Sequence, residues 1–142
     1  MKLQGFEHFA ARAYLNEYFG SFDTEDHFLL TFCHDVYEAL PPVEAMVEIG
    51  GGPCIYPLIS ARRRAERILF AEYCVANRAE VEAWRLNAAD AFDWSPQFSF
   101  IQQLEGFTQS VDEMQQELRR KLLPCIPCDV FDDEPLTGLA GQ

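Results

Sequence analysis

Apolar and polar positions change rhythm several times along this chain, and each change predicts a new element. Between residues 24 and 40 the apolar residues Phe28, Leu29, Phe32, Val36 and Leu40 recur at three- and four-residue steps until Pro41-Pro42. Glu25 and Asp26 fall in the first turn, so the spacing predicts an amphipathic helix capped by Asp23 or Thr24 and packed on something. VEAMVEI, residues 43–49, is short, rich in valine and isoleucine and bounded by proline and glycine, which reads as a strand. A helix over about 54–64 follows, with Pro57 tolerable because it falls in the first turn. RILFAEY, residues 67–73, reads as a second strand, and ANRAEVEAWRLN, residues 76–87, as a surface helix.

Beyond residue 90, Ser95-Pro96 predicts the cap and first residue of a helix that carries Phe98, Ile101 and Leu104 inward. Ser110 with Glu113 forms a capping box ahead of Val111, Met114, Leu118 and Leu122. CDVF, residues 128–131, lies after Pro124 and Pro127 and predicts a third strand, while the tail DDEPLTGLAGQ has no apolar period and reads as a loop. Strands alternating with helices predict a parallel sheet with right-handed crossovers, an α/β layer of Rossmann-like type.

Composition narrows the partners. A chain of 142 residues, 49% of them hydrophobic, suits one globular unit with a sizeable core. A formal net charge of −12 repels phosphate backbones and anionic membrane surfaces, so the chain is expected to bind neither nucleic acid nor membrane, whereas a cationic or neutral small molecule is accepted more easily. There is no apolar run of the ~20 residues a membrane helix needs, and the start lacks a secretory h-region, which predicts a soluble protein of the cytoplasm. Five cysteines, an odd number scattered through apolar segments, suit reduced thiols.

Several residues that could carry chemistry have plainer readings. The pair Cys125 and Cys128 has the CxxC spacing, but no second pair or nearby histidine completes a zinc set, so no metal site is expected. His8, His27 and His34 are spread along the chain and none is assigned as a base. Arg62, Arg63 and Arg64 read as a basic run that complements a helix dipole and needs no partner. Phe92 and Trp94 read as anchors of a loop to the core rather than a pocket floor.

The glycine corner is the strongest site signal. Gly50, Gly51 and Gly52 stand where a strand hands over to a helix, the usual ligand position in an open α/β sheet. The GxGxxG fingerprint fails because Ile55 occupies its last glycine position, and no GK[ST] follows to make a P-loop. What remains is Glu48-Ile49-Gly50-Gly51-Gly52, with a second acid, Glu72, near the end of the next strand, where a carboxylate can accept bonds from both hydroxyls of a ribose. That combination suits S-adenosylmethionine, which has a ribose and no pyrophosphate. The plainer reading is a glycine-rich turn beside a solvated Glu72.

Whole segments resemble the amine N-methyltransferase family, which includes the nicotinamide, phenylethanolamine and indolethylamine methyltransferases: EIGGGPCIYPLISA, LFAEYCVANRAEVEAW, AFDWSP, LEG at 104–106, CDV at 128–130 and DDEPLTG at 132–138. The resemblance implies a Rossmann-like S-adenosylmethionine-dependent methyltransferase fold, truncated after the third strand. Residues 1–42 would form an N-terminal helical lid and residues 43–142 the first half of the methyltransferase domain. It implies that Gly50 and Gly52, with Gly51 between them, lie against the methionine part of the cofactor, with Tyr56 in contact. Glu72 would hold the ribose, where the family more often has aspartate, with Tyr73 and Asn77 beside it. Asp129 and Val130 would bracket the adenine, and Tyr14 would close over the ligand from the lid. A second lid tyrosine of the family is replaced by Phe19 or displaced to Tyr18.

The implied activity is S-adenosylmethionine-dependent N-methylation of a small-molecule amine or pyridine, with no residue assigned to take the proton from the amine. A second reading is a catalytically inactive, truncated cofactor-binding or regulatory module that pairs with a full-length relative; a third is an α/β domain with no ligand. The resemblance also implies that the first strand lacks a neighbour on one side, an open edge that invites self-association.

Overall fold

In the computed structural model, which describes residue 6 and residues 8–139, the strands form one parallel sheet in the order β1-β2-β3. β1 spans Val43–Ile49, as its flanking prolines and glycines predict, and β2 spans Ala65–Glu72. They pair in parallel, with Met46 opposite Ile68, Val47 opposite Leu69 and Ile49 opposite Ala71. β3 differs from expectation. It is only Ile126–Pro127, beside Ala71 and Glu72, and the predicted strand over 128–131 leaves the sheet. Pro127 has no N–H for a ladder, and after Cys128 donates to the Glu72 carbonyl the chain turns, with the Asp129 carboxylate accepting from Phe131 N at 3.0 Å.

Six α-helices accompany the sheet among the described residues: α1 (Ala11–Phe19), α2 (Thr24–Ala39), α3 (Tyr56–Ala61), α4 (Val75–Arg85), α5 (Ser95–Leu104) and α6 (Val111–Lys121), with a short 3-10 turn at Thr137–Leu139. Asp23 rather than Thr24 caps α2, accepting from Glu25 N and Asp26 N while Asp26 returns a bond to Asp23 N. The capping box of α6 is present in both directions, Glu113 N to Ser110 at 3.1 Å and Ser110 N to Glu113 at 2.8 Å. At α5 the cap position is Trp94, not Ser95, and the Asp93 carboxylate accepts from Ser95 N at 2.9 Å. α3 is shorter than predicted because residues 62–64 tighten into a turn with bonds to Leu58, Ser60 and Ala61.

One hydrophobic cluster joins these elements. Leu30 of α2, Leu58 and Ile59 of α3, Ile68 and Phe70 of β2, Trp84 of α4, Phe98 and Ile101 of α5 and Met114 and Leu118 of α6 are all buried in it. Trp94 is buried there too, so the FDWSP loop is anchored as expected. Phe70 and Ile68 place this cluster on one face of the sheet, since alternate strand residues point to opposite faces. On the other face Leu69 and Ala71 are buried with Ile126 and Cys128 against Leu123 and Leu136.

The stripe predicted for α2 is a correction. Phe28, Phe32, Val36 and Leu40 are exposed, at 69, 60, 40 and 48%, and the helix instead buries Asp26 and Leu30. Periodicity correctly marks an apolar face but does not say whether this chain covers it. β1 shows the same thing: Val43, Val47 and Ile49 are 43, 40 and 51% exposed, and among the described residues β1 has a ladder partner only on the β2 side. In a parallel sheet both faces are ordinarily covered, so Val43, Val47 and Ile49 leave part of one face of β1 bare.

The basic run at 62–64 also differs from its plain reading. Arg62 is fully buried, its guanidinium donating to both carboxylate oxygens of buried Glu105 at 2.6 and 2.8 Å, to the Ile59 carbonyl at 2.6 Å and to Gln109 at 2.9 Å. Arg64 donates to the Tyr37 and Glu38 carbonyls, and Arg63 pairs with Glu38 at 2.8 Å. A run of arginines thus ties α3 to α2, to the end of α5 and to α6. Removing one partner of a buried pair leaves the other charge uncompensated. Arg62→Met is therefore expected to lower unfolding free energy by about 3 to 5 kcal/mol in urea titrations, and Arg62→Met with Glu105→Leu to recover most of that loss.

Candidate functional site

The site is built where β1 and β2 end. β1 runs into Gly50, and Gly50 N still donates to the Ala71 carbonyl, which keeps the loop start in the sheet. The three glycines are needed for two different reasons. Gly50 and Gly52 have φ of +70° and +66°, a region side-chain residues avoid, and a Cβ on either would meet nothing within 4 Å. Gly51 is required by space, since a Cβ there would stand 2.7 Å from the ring of buried Phe70. The outcome is a turn whose Gly50 and Gly52 faces are open to a ligand and whose middle residue is pressed against the sheet.

Glu72 sits opposite this turn and is not solvated. It is 6% exposed, with one carboxylate oxygen accepting from Gly52 N at 2.9 Å and the other from Cys74 N at 2.9 Å and the Asn77 amide at 3.2 Å. A carboxylate has about four acceptor positions, so three bonds leave one for a ligand. Asn77 is itself buried and its Oδ1 has no hydrogen-bond partner, an orphaned acceptor next to Glu72. Arg78 donates to the Glu72 and Tyr73 carbonyls at 2.6 and 2.7 Å and fixes the end of β2.

Two cavities flank the glycine turn. The first, about 220 Å³, is lined by Phe6, Ile49, Gly50, Glu72, Tyr73, Cys128, Asp129 and Val130. Its rim is apolar, with Val130 63% and Ile49 51% exposed. The second, about 280 Å³, brings Tyr14, Gly51 and Tyr56 together with Tyr18, Phe19 and Cys54, and with the carboxylates of Glu17, Asp23, Glu25 and Asp26. Aromatic faces and anionic groups together favour a cation. Phe19 stacks on Tyr56 at 5.3 Å, and Tyr18 packs on Tyr14 at 4.8 Å.

Every residue the sequence reading assigned to the ligand thus lies on one of these two cavities or in the hydrogen-bond set of Glu72 between them. The reading missed Phe6, Ile49 and Cys128 in the first cavity, and Cys54 and the acidic residues in the second. Ile49 and Cys128 were legible in principle: each directly precedes a named site residue at the carboxyl end of a strand, where ligands of such sheets sit.

The charges around the turn follow burial. Glu48 faces the other side of β1 from Ile49, and burial pushes its carboxyl above the usual range. Burial chiefly, with the Glu48 charge behind it, raises Cys33 and Tyr37 as well. Burial lifts the Tyr56 phenol to about 12, and burial together with the Glu72 charge lifts the Cys54 thiol to about 12, so neither ionises near neutral pH. Cys125 is likewise raised to about 12 by burial and the nearby Glu82. The cysteines are unbridged, and among the described residues no group of His, Cys, Asp and Glu is placed to hold a metal ion. No helix among them is long and apolar enough to cross a membrane.

Residues 2–141 match the sequence profile of the NNMT/PNMT/TEMT family. The chain belongs to that family. Nicotinamide N-methyltransferase of Homo sapiens is 32% identical over 140 residues, which cover 91% of this chain and 52% of that protein. Indolethylamine N-methyltransferase of Oryctolagus cuniculus is 29% identical over 138 residues, covering 92% and 52%, and phenylethanolamine N-methyltransferase of Sus scrofa is 35% identical over 92 residues, covering 65% and 32%. The chain therefore spans about half the length of the first two of these relatives. Family membership agrees with the sheet: three parallel strands in sequential order, with helices packed on them, are part of a Rossmann-like methyltransferase fold.

Two stability measurements probe the geometry of the turn. Gly51→Ala is expected to destabilise the protein by about 1 to 3 kcal/mol through the Phe70 ring, and Gly51→Ala with Phe70→Leu to recover part of that loss in chemical melts. Glu48 is the pH probe. Its folded pKa lies above the unfolded value, so the proton is held more tightly in the folded state and stability falls as pH rises through the folded pKa. Glu48→Gln should therefore melt above the parent at neutral pH, and the difference should close as pH drops below about 4, the unfolded carboxylate range.

Proposed function

We propose that this chain forms the cofactor-binding half of an S-adenosylmethionine-dependent N-methyltransferase acting on a small-molecule amine or pyridine. The observation that carries the proposal is the pairing of Glu72, with one acceptor position free, and the orphaned Oδ1 of buried Asn77 beside it. A ribose offers two adjacent hydroxyls, which suits two neighbouring acceptors. Asp129 and the apolar rim of Val130 and Ile49 would take the adenine, its amino group toward the carboxylate and its ring against the side chains. Gly50 and Gly52, open where a Cβ would stand, let the methionine part lie against the backbone.

When bound, S-adenosylmethionine supplies a methyl group on a sulfonium, which is transferred to the nitrogen by direct displacement. The residues of this chain would bind and orient. The second cavity, with Tyr14, Tyr56 and its carboxylates, suits the positive charge of the sulfonium and of an incoming amine. Alignment of the two reactants in a shielded site can lower the barrier by roughly 7 to 11 kcal/mol. The relatives whose names specify nicotinamide, phenylethanolamine and indolethylamine define the substrate class to be tried first.

A second reading has its own observation. The exposed apolar residues and unpaired edge of β1 favour a module that binds the cofactor and joins a further α/β segment or a second copy before any chemistry occurs. Titration calorimetry of S-adenosylmethionine and S-adenosylhomocysteine into the 142-residue chain tests both. Binding is expected, and Glu72→Ala should weaken it at least about ten-fold, or about 1.4 kcal/mol, with the fold retained by circular dichroism. Methyl transfer to a panel of amines and pyridines separates an active enzyme from a binding module. Absence of binding by the folded parent chain would overturn the cofactor assignment.

A further inference from the structure

Helix α1 carries Tyr14 into the second cavity, yet very little of what usually stabilises a helix is present in it. It has nine residues, no side-chain cap hydrogen bond, and only Ala11 and Leu15 buried. Isolated helices shorter than about 12 to 15 residues are marginal in water. Its position must come from contacts with the scaffold: Leu15 at its middle is buried in the core cluster, and further contacts lie at its two ends.

At the far end the ring of Phe19 lies between Tyr56 and Trp94, each at 5.3 Å, and the amide of buried Gln97 reaches the Phe19 carbonyl at 3.4 Å. At the near end Arg12 extends to α4. Its Nε donates to both oxygens of Glu80 at 3.1 Å, and its Nη2 donates to Glu80 Oε2 at 2.8 Å and to the Asp90 carbonyl at 2.7 Å. The Glu80 side chain is only 14% exposed. Glu80 follows Asn77 by one helical step on α4, so the two side chains share a face of that helix. The helix that presents the Asn77 amide to Glu72 is thus the one that holds Arg12.

We propose that Arg12 is a positioning residue for the ligand site: its fork on Glu80 and the Asp90 carbonyl latches α1 to α4, holding Tyr14 against the glycine turn, and ligand exchange requires this latch to open. The use of the latch rests on the cofactor assignment above; the latch itself does not. An isolated surface ion pair would contribute little. This one differs because its geometry is bidentate, its acid is mostly buried, and the element it holds has few other anchors.

The test is hydrogen exchange on the unliganded 142-residue chain, read for residues 13–20, in the parent, Arg12→Gln, Glu80→Gln and the charge swap Arg12→Glu with Glu80→Arg. The single variants are expected to speed exchange in α1 roughly ten-fold while β2 and α5 keep their protection, as for an opening confined to one segment. The swap should restore part of the protection, and added salt should speed exchange in the parent but not in the single variants. Association and dissociation of S-adenosylhomocysteine, followed by stopped flow, should both accelerate in the single variants, because entry and exit pass through the same open state. Unchanged exchange in α1 in both single variants, or a swap that recovers nothing, overturns the latch. If the parent binds no S-adenosylhomocysteine while exchange responds as expected, the latch stands and the cofactor assignment falls. If binding is normal but neither exchange nor dissociation responds, the reverse holds.

Discussion

A single buried carboxylate organises this molecule. Glu72, at the end of β2, would be costly to bury alone, and it is tolerated because three N–H groups converge on it from Gly52, Cys74 and Asn77. Those donors belong to three different pieces of the chain: the turn after β1, the residue that leads into α4, and the first turn of α4. Satisfying one charge therefore fixes the relative positions of the glycine turn, the strand end and the helix start. The turn is set before any ligand arrives, and the residual acceptor capacity faces the first cavity. The glutamate side chain spans from the end of β2 to the Gly52 N–H at 2.9 Å.

The glycine turn completes that constraint from the other side. Gly51 is pinned by Phe70, which belongs to the same strand as Glu72, so β2 holds the turn at its middle through packing and at Gly52 through a hydrogen bond. Gly50 and Gly52 supply the backbone conformation and leave their outer faces free. One side of the turn then opens on a cavity with apolar walls and the acids Glu72 and Asp129, the other on a cavity of aromatic rings and carboxylates. The proposed cofactor, with a nucleoside at one end and a sulfonium at the other, would address both sides at once. The excess of acidic residues that excludes polyanions in general has a local counterpart in the four carboxylates of the second cavity.

What the sequence makes legible is local and punctuated. Pro41-Pro42 and Gly50 bound β1, the Ser110–Glu113 spacing sets the start of α6, and the glycine corner with a following acid marks the site. What it hides depends on partners distant in sequence. Arg62 reads as a solvated helix end because nothing in its neighbourhood announces Glu105 or Gln109, which reach it only once α5 and the turn after it fold back. The orphaned acceptor of Asn77 and the fork of Arg12 on Glu80 are invisible for the same reason. β3 fails by chemistry rather than distance: valine and phenylalanine at 130–131 favour a strand, but Pro127 ends the ladder and Asp129 turns the chain away. The stripe on α2 shows a further limit, since a period of three and four residues reports that a face is apolar, not what lies against it.

The bare face of β1, in contrast, bears directly on the site. Ile49 is the last residue of β1; its side chain belongs to the bare face of the sheet and also lines the first cavity. Val47, two residues back on the same face, continues the surface away from the cleft, and the backbone edge of β1 runs beside both. A strand or helix laid on this face would bury Ile49 and Val47 together and extend the apolar wall on which an adenine would rest. If the proposed cofactor rests on Ile49, its affinity and the occupation of the bare face would be coupled through that one side chain, and thermodynamic linkage would make the coupling reciprocal. The chain thus holds a preformed acceptor set in Glu72 and Asn77, while one wall of the same cleft still depends on how that face is covered.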